Sequence, residues 1–203
     1  MSTQHYYSSA PHSESNPKSV RFTWQDRLFT FWTDAGVFSR DGVDKGSRIL
    51  LSALPERISG SVLDLGCGWG AMGIVIAALH PGANVTLADI NPRAVALARR
   101  NADVNKVRAQ AVISDGFERL TDNFDLIVFN PPIRAGKATV YRLFEDCTQR
   151  LVQNGVLLIV IRKQQGAESA LKYLRSIFAD VAVVERSGGY WVIRCTGGKN
   201  HEL

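Results

Sequence analysis

Val62-Leu-Asp-Leu-Gly-Cys-Gly-Trp-Gly70 decides the fold. The apolar run Val62 to Leu65 reads as a buried strand, the glycines at 66, 68 and 70 let the chain turn tightly, and Ala71 to Leu79 then takes up a helical pattern. Strand, glycine turn and helix in that order begin a parallel unit, and the chain downstream repeats the alternation. Strand Asn84 to Ala88 precedes a helix from Pro92 to Val104, with Pro92 at a favoured first helical position. Strands Ala109 to Ile113 and Leu126 to Phe129 follow, then a helix from about Thr139 to Leu151, strand Val156 to Ile161 and helix Glu168 to Phe178. Val181 to Val184 and Tyr190 to Arg194 flank Ser187-Gly188-Gly189, the signal of an antiparallel hairpin. The expected fold is α/β: a doubly wound, mostly parallel seven-stranded sheet with an antiparallel terminal strand.

Upstream, the period is different. Val20 to Trp24 and Leu28 to Thr33 alternate around Gln25-Asp26 and read as a hairpin, whereas Val43, Ile49, Leu50 and Leu54 suit a helix from Asp44. Met1 to Pro17 is polar and looks poorly ordered apart from Tyr6 and Tyr7. With 203 residues, 45% of them hydrophobic, the chain suits one packed domain. The division expected is an N-terminal extension with a β-hairpin over 1–40 and the main domain over 41–203. Eight of the 18 aromatic residues fall in the first 38 positions, where they either cover one face of the sheet or stack on nucleobases.

Open α/β sheets bind ligands beyond the carboxyl ends of their strands. Two motifs fall there: the glycine loop, and Asn130-Pro131-Pro132-Ile133 after Leu126 to Phe129. Gly66, Gly68 and Gly70, with Cys67 among them, allow a ligand close to the backbone. Asp89, followed by Ile90 and Asn91, ends the second core strand and is suited to accept both hydroxyls of a ribose. Asp115-Gly116, just past the third strand, offers a carboxylate to an adenine amino group. Gly68-Trp-Gly-Ala-Met-Gly73 also satisfies GxGxxG, with Asp89 21 residues after Gly68, the spacing of a dinucleotide site. Asp64 opposes a pyrophosphate but suits a cationic sulfonium bearing an amino group, so S-adenosylmethionine is the expected cofactor. Asn130 and the Pro131 carbonyl can accept the two N–H bonds of an aromatic amine, push its nitrogen toward tetrahedral geometry and aim its lone pair, which makes methyl transfer to nitrogen the expected chemistry.

Asn130-Pro-Pro-Ile-Arg-Ala-Gly-Lys137, Thr33-Asp-Ala-Gly-Val-Phe-Ser39, Val43-Asp-Lys-Gly-Ser47 and Asp64-Leu-Gly-Cys-Gly68 resemble the methyltransferase small domain. More narrowly, they resemble the ribosomal RNA small subunit methyltransferase C family, which methylates the exocyclic amine of a guanine in 16S ribosomal RNA. The resemblance runs from His5-Tyr-Tyr-Ser8 to Gly189-Tyr190. It implies a Rossmann-like class I fold dependent on S-adenosylmethionine. It also implies that Gly66, Gly68, Asp89 and Asp115 bind the cofactor, that Phe38 and Asp44 close over it, and that Asn130 to Ile133 hold the base. Larger members carry an extra N-terminal copy of the fold, which these residues do not contain. Where many amino-methyltransferases have Tyr or Phe, this chain has Ile133, so a second platform for the base is expected from Phe38 or Tyr141.

Charge bears on the partner. Residues 134–203 carry eleven Lys and Arg against six Asp and Glu, and hold the whole of the net excess of +5. Arg134, Lys137, Arg142, Arg162 and Lys163 fall on or after site loops, which favours a polyanion, and Arg134 and Lys137 are expected on RNA phosphates. Ribosomal RNA or the small ribosomal subunit is the expected partner, with a glutamine side-chain amide of a release factor, or a non-catalytic RNA-binding role, as the alternatives. Cys67, Cys147 and Cys195 read as reduced thiols, and neither metal nor membrane is expected. A cytoplasmic monomer or homodimer fits.

Overall fold

A glycine-free turn opens the architecture. In the computed structural model, which describes residues 13–198, β1 (Lys18–Trp24) and β2 (Arg27–Thr33) pair antiparallel around Gln25 and Asp26. Both turn residues have positive φ, 45° and 59°, the two-residue turn whose twist matches that of its strands. The hairpin forms a two-stranded sheet of its own. Residues 1–12, with Tyr6, Tyr7 and the start of the resemblance at His5, lie outside the described residues.

After the hairpin come α1 (Lys45–Ser52), β3 (Gly60–Leu65), α2 (Ala71–Leu79), β4 (Ala83–Asp89), α3 (Pro92–Val104), β5 (Ala109–Ile113) and β6 (Phe124–Phe129). A 3-10 turn, Ile133–Ala135, leads into α4 (Lys137–Arg150); β7 (Leu151–Arg162), α5 (Ala167–Ile177), β8 (Phe178–Ser187) and β9 (Tyr190–Gly198) complete the chain. The seven-stranded sheet has the order β5-β4-β3-β6-β7-β9-β8, and it is mostly parallel with an antiparallel last strand, as the alternation predicted. β9 inserts between β7 and β8, antiparallel to both, so the strand at the sheet edge is β8. β7 starts at Leu151, five residues before its apolar run, because Leu151 pairs with Phe124 across an irregularity.

The chain leaves β3 toward β4 on one side and returns through β6 on the other, and this reversal opens a crevice at the carboxyl ends of β3 and β6. One face of the sheet is covered by residues of α1, α2, α3 and the hairpin, the other by α4 and α5. Most hairpin aromatics serve packing: Phe22, Phe29 and Phe31 are buried, and Phe31 meets Trp69 of the glycine loop with ring centroids 4.9 Å apart.

The free edge of β2 is occupied by two side chains of α3. Asn101 Oδ1 accepts from Trp32 N at 2.6 Å and its Nδ2 donates to Trp32 O at 2.9 Å; Asn105 does the same with Thr30 N (3.1 Å) and Thr30 O (2.8 Å). Four residues of helix rise about 6 Å and two of strand about 6.7 Å, so amides one helical turn apart match alternate strand residues. Among the described residues no helix is long and apolar enough to cross a membrane, no cluster of ligating side chains could hold a metal, and the three cysteines are free and buried.

Candidate active site

The loop after β3 is shaped by backbone. Gly66, Gly68 and Gly70 take φ of 65°, 55° and 88°, conformations costly for any residue with a Cβ. Cys67 N donates to Ala88 O at 2.9 Å and Gly68 N to Asp89 Oδ2 at 2.8 Å, so the loop hangs from the end of β4. Asp89 Oδ1 accepts from Asn91 N at 2.8 Å; burial pushes the Asp89 carboxyl above its ordinary range, opposed by the N–H groups of Asn91 and Gly68. Asn91 caps α3 and donates to Gly36 O at 3.2 Å, which ties down the segment between the hairpin and α1. Burial also pushes the Cys67 thiol well up.

Three adjoining cavities lie at this end of the sheet. The first is lined by Phe38, Ser39, Asp44, Gly66, Cys67 and Asn130, with Gly68, Asp89 and Asn91 at its floor. The second, of about 590 Å³, is an apolar slot between Leu65, Ala88, Ile90, Phe129, Pro132 and Leu143, with Asp115, Gly116 and Arg134 at its rim. The third, of about 420 Å³, lies between Phe38, Asn130, Pro131, Ile133 and Tyr190, and its mouth carries Arg40, Arg134, Arg162 and Gln165. Both volumes are within the range of small-molecule sites. The first and third cavities share Val37, Phe38, Ser39, Asp44 and Asn130, so Asn130 stands at their junction.

The Asn130 amide is oriented by residues from far upstream. Its Nδ2 donates to Asp44 Oδ1 (3.3 Å), Asp44 Oδ2 (3.4 Å) and Ser47 Oγ (3.2 Å). Asp44 is the N-cap of α1, accepting from Ser47 N at 3.1 Å, and its other oxygen takes the Ser47 hydroxyl. Asn130 Oδ1 accepts no hydrogen bond among the described residues. The Pro131 carbonyl accepts from Ile133 N at 2.9 Å across a γ-turn just before the 3-10 turn, which leaves one lone pair for a second donor.

Most of the residues singled out in the sequence meet here; Asp64, Gly70, Lys137, Tyr141, Arg142 and Lys163 line none of the three cavities. Asp64 lines none of these cavities: it is fully buried behind the loop, where Oδ2 accepts from Gly73 N at 2.8 Å at the start of α2 and Oδ1 has no partner. Burial holds its carboxyl up to about 7, with the Gly73 N–H opposing and the charge of Asp89 adding. Gly70 faces α3, where a Cβ would lie 3.2 Å from that of Ala98. Tyr141 stacks on Tyr173 at 4.1 Å and Lys137 sits 5.0 Å from the Tyr141 ring, so neither reaches the third cavity. Asp115 is ion-paired with Arg142 at 2.9 Å while remaining at the rim of its slot. Phe38, 44% exposed, is an aromatic ring on the wall of the third cavity. Tyr190 is a second one that the sequence pattern passed over; its signal was its place at a strand start directly after Gly188-Gly189, paired with Arg162 at the end of β7.

Similarity to known proteins agrees with this geometry. The methyltransferase small domain family matches residues 28–194. YbxB, an uncharacterized protein of Bacillus subtilis (strain 168), is 39% identical over 196 residues, 95% of this chain and 98% of its own length. The ribosomal RNA small subunit methyltransferase C of Actinobacillus succinogenes is 39% identical over 156 residues, 74% of this chain, and this chain spans about half of that protein (46%). A solved structure of the T. thermophilus 16S rRNA N2-guanine methyltransferase RsmC, in complex with AdoMet and guanosine, matches with a TM-score of 0.81 and 28% identity, over 93% of this chain and 52% of that one. With its sheet order, its glycine loop and a match over most of its length, this chain belongs to the methyltransferase small domain family.

Proposed function

We propose that this protein transfers a methyl group from S-adenosylmethionine to the exocyclic amino group of a guanine in ribosomal RNA, 16S ribosomal RNA being the substrate that its relatives suggest. The observation that carries the reading is the Asn130 carbonyl: unengaged, at the junction of the first and third cavities, with its amide nitrogen already committed to Asp44 and Ser47.

The residues present fit the cofactor. An apolar slot with Asp115 at its rim suits an adenine ring, the fixed Asp89 carboxylate keeps lone pairs for ribose hydroxyls, and the left-handed glycines leave room for the chain bearing the sulfur. When bound, S-adenosylmethionine supplies an electrophilic methyl group on a cationic sulfur. Asn130 Oδ1 and the second lone pair of the Pro131 carbonyl accept the N–H bonds of the incoming amine and aim its lone pair across the junction. The same acceptors stabilise the positive charge that grows on nitrogen as the N–C bond forms. The product ammonium then loses a proton to solvent at the open mouth of the cleft. Ile133 lies against one side of the base, with Phe38 and Tyr190 as aromatic partners, and Arg40, Arg134 and Arg162 at the mouth favour a phosphate-bearing substrate. That cationic rim favours RNA over a glutamine side chain.

The test is methylation of 16S ribosomal RNA, intact small subunits and a release factor with labelled S-adenosylmethionine, followed by mapping of the modified nucleotide. Label in guanine N2 is the expected result; label in the release factor alone would overturn the reading.

A further inference from the structure

We propose that Asp44 and Ser47 are positioning residues that set which end of the Asn130 amide faces the substrate. The inference rests on the amine-holding role proposed for Asn130 and deepens it. A terminal amide has two ends of opposite function: its oxygen accepts and its nitrogen donates. Facing a substrate N–H, only the oxygen is useful, and an amide turned by 180° would present two donors to two donors. An ionised carboxylate accepts only, so Asp44 permits one orientation. The Ser47 hydroxyl is equally restricted, because its hydrogen is spent on Asp44 and its oxygen is left to accept from Asn130. Both N–H bonds of Asn130 therefore have acceptors on the α1 side, and Oδ1 is turned to the cleft with its lone pairs open.

Asp44 is itself held. As the N-cap of α1 it accepts from Ser47 N, and the first turn of the helix sets its place and that of Ser47 together. Gly46 keeps this turn narrow: a Cβ there would lie 3.0 Å from Asp44 Oδ1 and 3.1 Å from the Tyr190 ring. The start of α1 is thus a clamp on a residue at the end of β6, and it abuts the wall of the base cleft.

Asp44→Asn isolates the effect, because an asparagine caps a helix about as well as an aspartate but can donate as well as accept. With its oxygen kept on Ser47 N, the substituted side chain would put an NH2 group in place of Oδ2, where it faces Asn130 Nδ2 at 3.4 Å and takes the Ser47 oxygen, so one of the two acceptor positions becomes a donor and the inverted amide is favoured. The expected result is a single-turnover rate lower by about 100-fold, the loss seen when one preorganised polar group is removed. Unfolding temperature and S-adenosylmethionine affinity by calorimetry should stay near the parent values. An independent readout is the side-chain 15N–1H signal of Asn130, which should move upfield toward an ordinary exposed amide as the charged acceptor is lost. Ser47→Ala, which retains the cap, should lower the rate less, by about 10-fold, and serves if Asp44→Asn does not fold. Normal rates in both variants, or an unmoved Asn130 signal, overturn the proposal. So does a rate loss matched by lost cofactor affinity, which would make Asp44 a cofactor ligand. If Asn130→Ala itself turns over normally, the amine-holding reading fails first; a slow Asn130→Ala beside a normal Asp44→Asn removes only the clamp.

Discussion

The two strand-end motifs of this active site work by different means. The loop Leu65–Gly70 is shaped by backbone: three glycines with positive φ, and N–H groups that fasten onto the last residues of β4. Asn130–Ile133 is stiffened by two prolines, and the chemistry proposed for it depends on one side-chain amide that residues of another element orient. A backbone cradle takes its shape from the glycines that compose it, and its outside anchors fasten main-chain groups. An oriented amide is specified by its neighbours, so distant substitutions reach it.

That contrast is open to measurement. The largest expected effect is that of Asp89→Ala on cofactor binding, because two hydrogen bonds to a charged acceptor are lost at roughly 1.5–3 kcal/mol each. The loop also loses the anchor of Gly68 N. Calorimetry on the folded variant decides, and unchanged affinity would take Asp89 out of the cofactor site. Next comes Asn130→Ala, whose turnover should fall by about 100-fold to 1,000-fold with cofactor affinity little altered. A collapse of both together would erase the distinction drawn between the two motifs. Gly70→Ala should cost about 1–3 kcal/mol of stability, since a left-handed residue acquires a Cβ against Ala98 and Ile74. Denaturant midpoints would register it.

Asp64→Asn tests the support behind the cradle. The folded-state carboxyl of Asp64 is raised from its ordinary 3.8 to about 7, so the stability it contributes is fully present below the lower value and lost as pH rises through the upper one. The parent protein should therefore lose stability between about pH 4 and pH 7 through this group, and the neutral variant should lose less; equal urea midpoint shifts would contradict the burial argument. The smallest effect is expected at the rim. Arg134→Ala should lower the slope of log RNA affinity against log salt by about one unit, whereas Lys137→Ala, which removes a cation held over Tyr141, should change it less.

The architecture was legible because its signals are local. Ala71–Leu79, Pro92–Val104 and Ala109–Ile113 coincide with the elements read from period and glycine placement. The early start of β7 was hidden because Gln153-Asn154 interrupts the apolar pattern, and only pairing of Leu151 with Phe124 makes that stretch a strand. Within the site, Gly66, Gly68 and Asp89 announced themselves by spacing. The partnership of Asp44 with Asn130 did not, since 86 residues separate them and neither shows its orientation in its own segment. Tyr141 misled for a similar reason: proximity in sequence to Asn-Pro-Pro-Ile placed it near the base, yet the helical turn that follows carries it round to Tyr173.

The N-terminal hairpin has a consequence for association between molecules. An unpaired strand edge is a template on which another chain can add, and small sheets are especially open to it. Asn101 and Asn105 fill the β2 edge at Thr30 and Trp32 with groups that mimic a peptide bond but have no chain to extend. The hairpin ladder therefore stops at two strands on that side. The opposite edge belongs to β1, which presents the exposed Arg21 beside Lys18, the latter ion-paired with Asp41; charges of this kind are what natural edge strands use to discourage a newcomer. In an aggregation assay, Asn101 and Asn105 should act as gatekeepers; Asn101 also holds the glycine loop, its Nδ2 donating to Trp69 O at 2.8 Å, so Asn105 is the one that tests the edge alone.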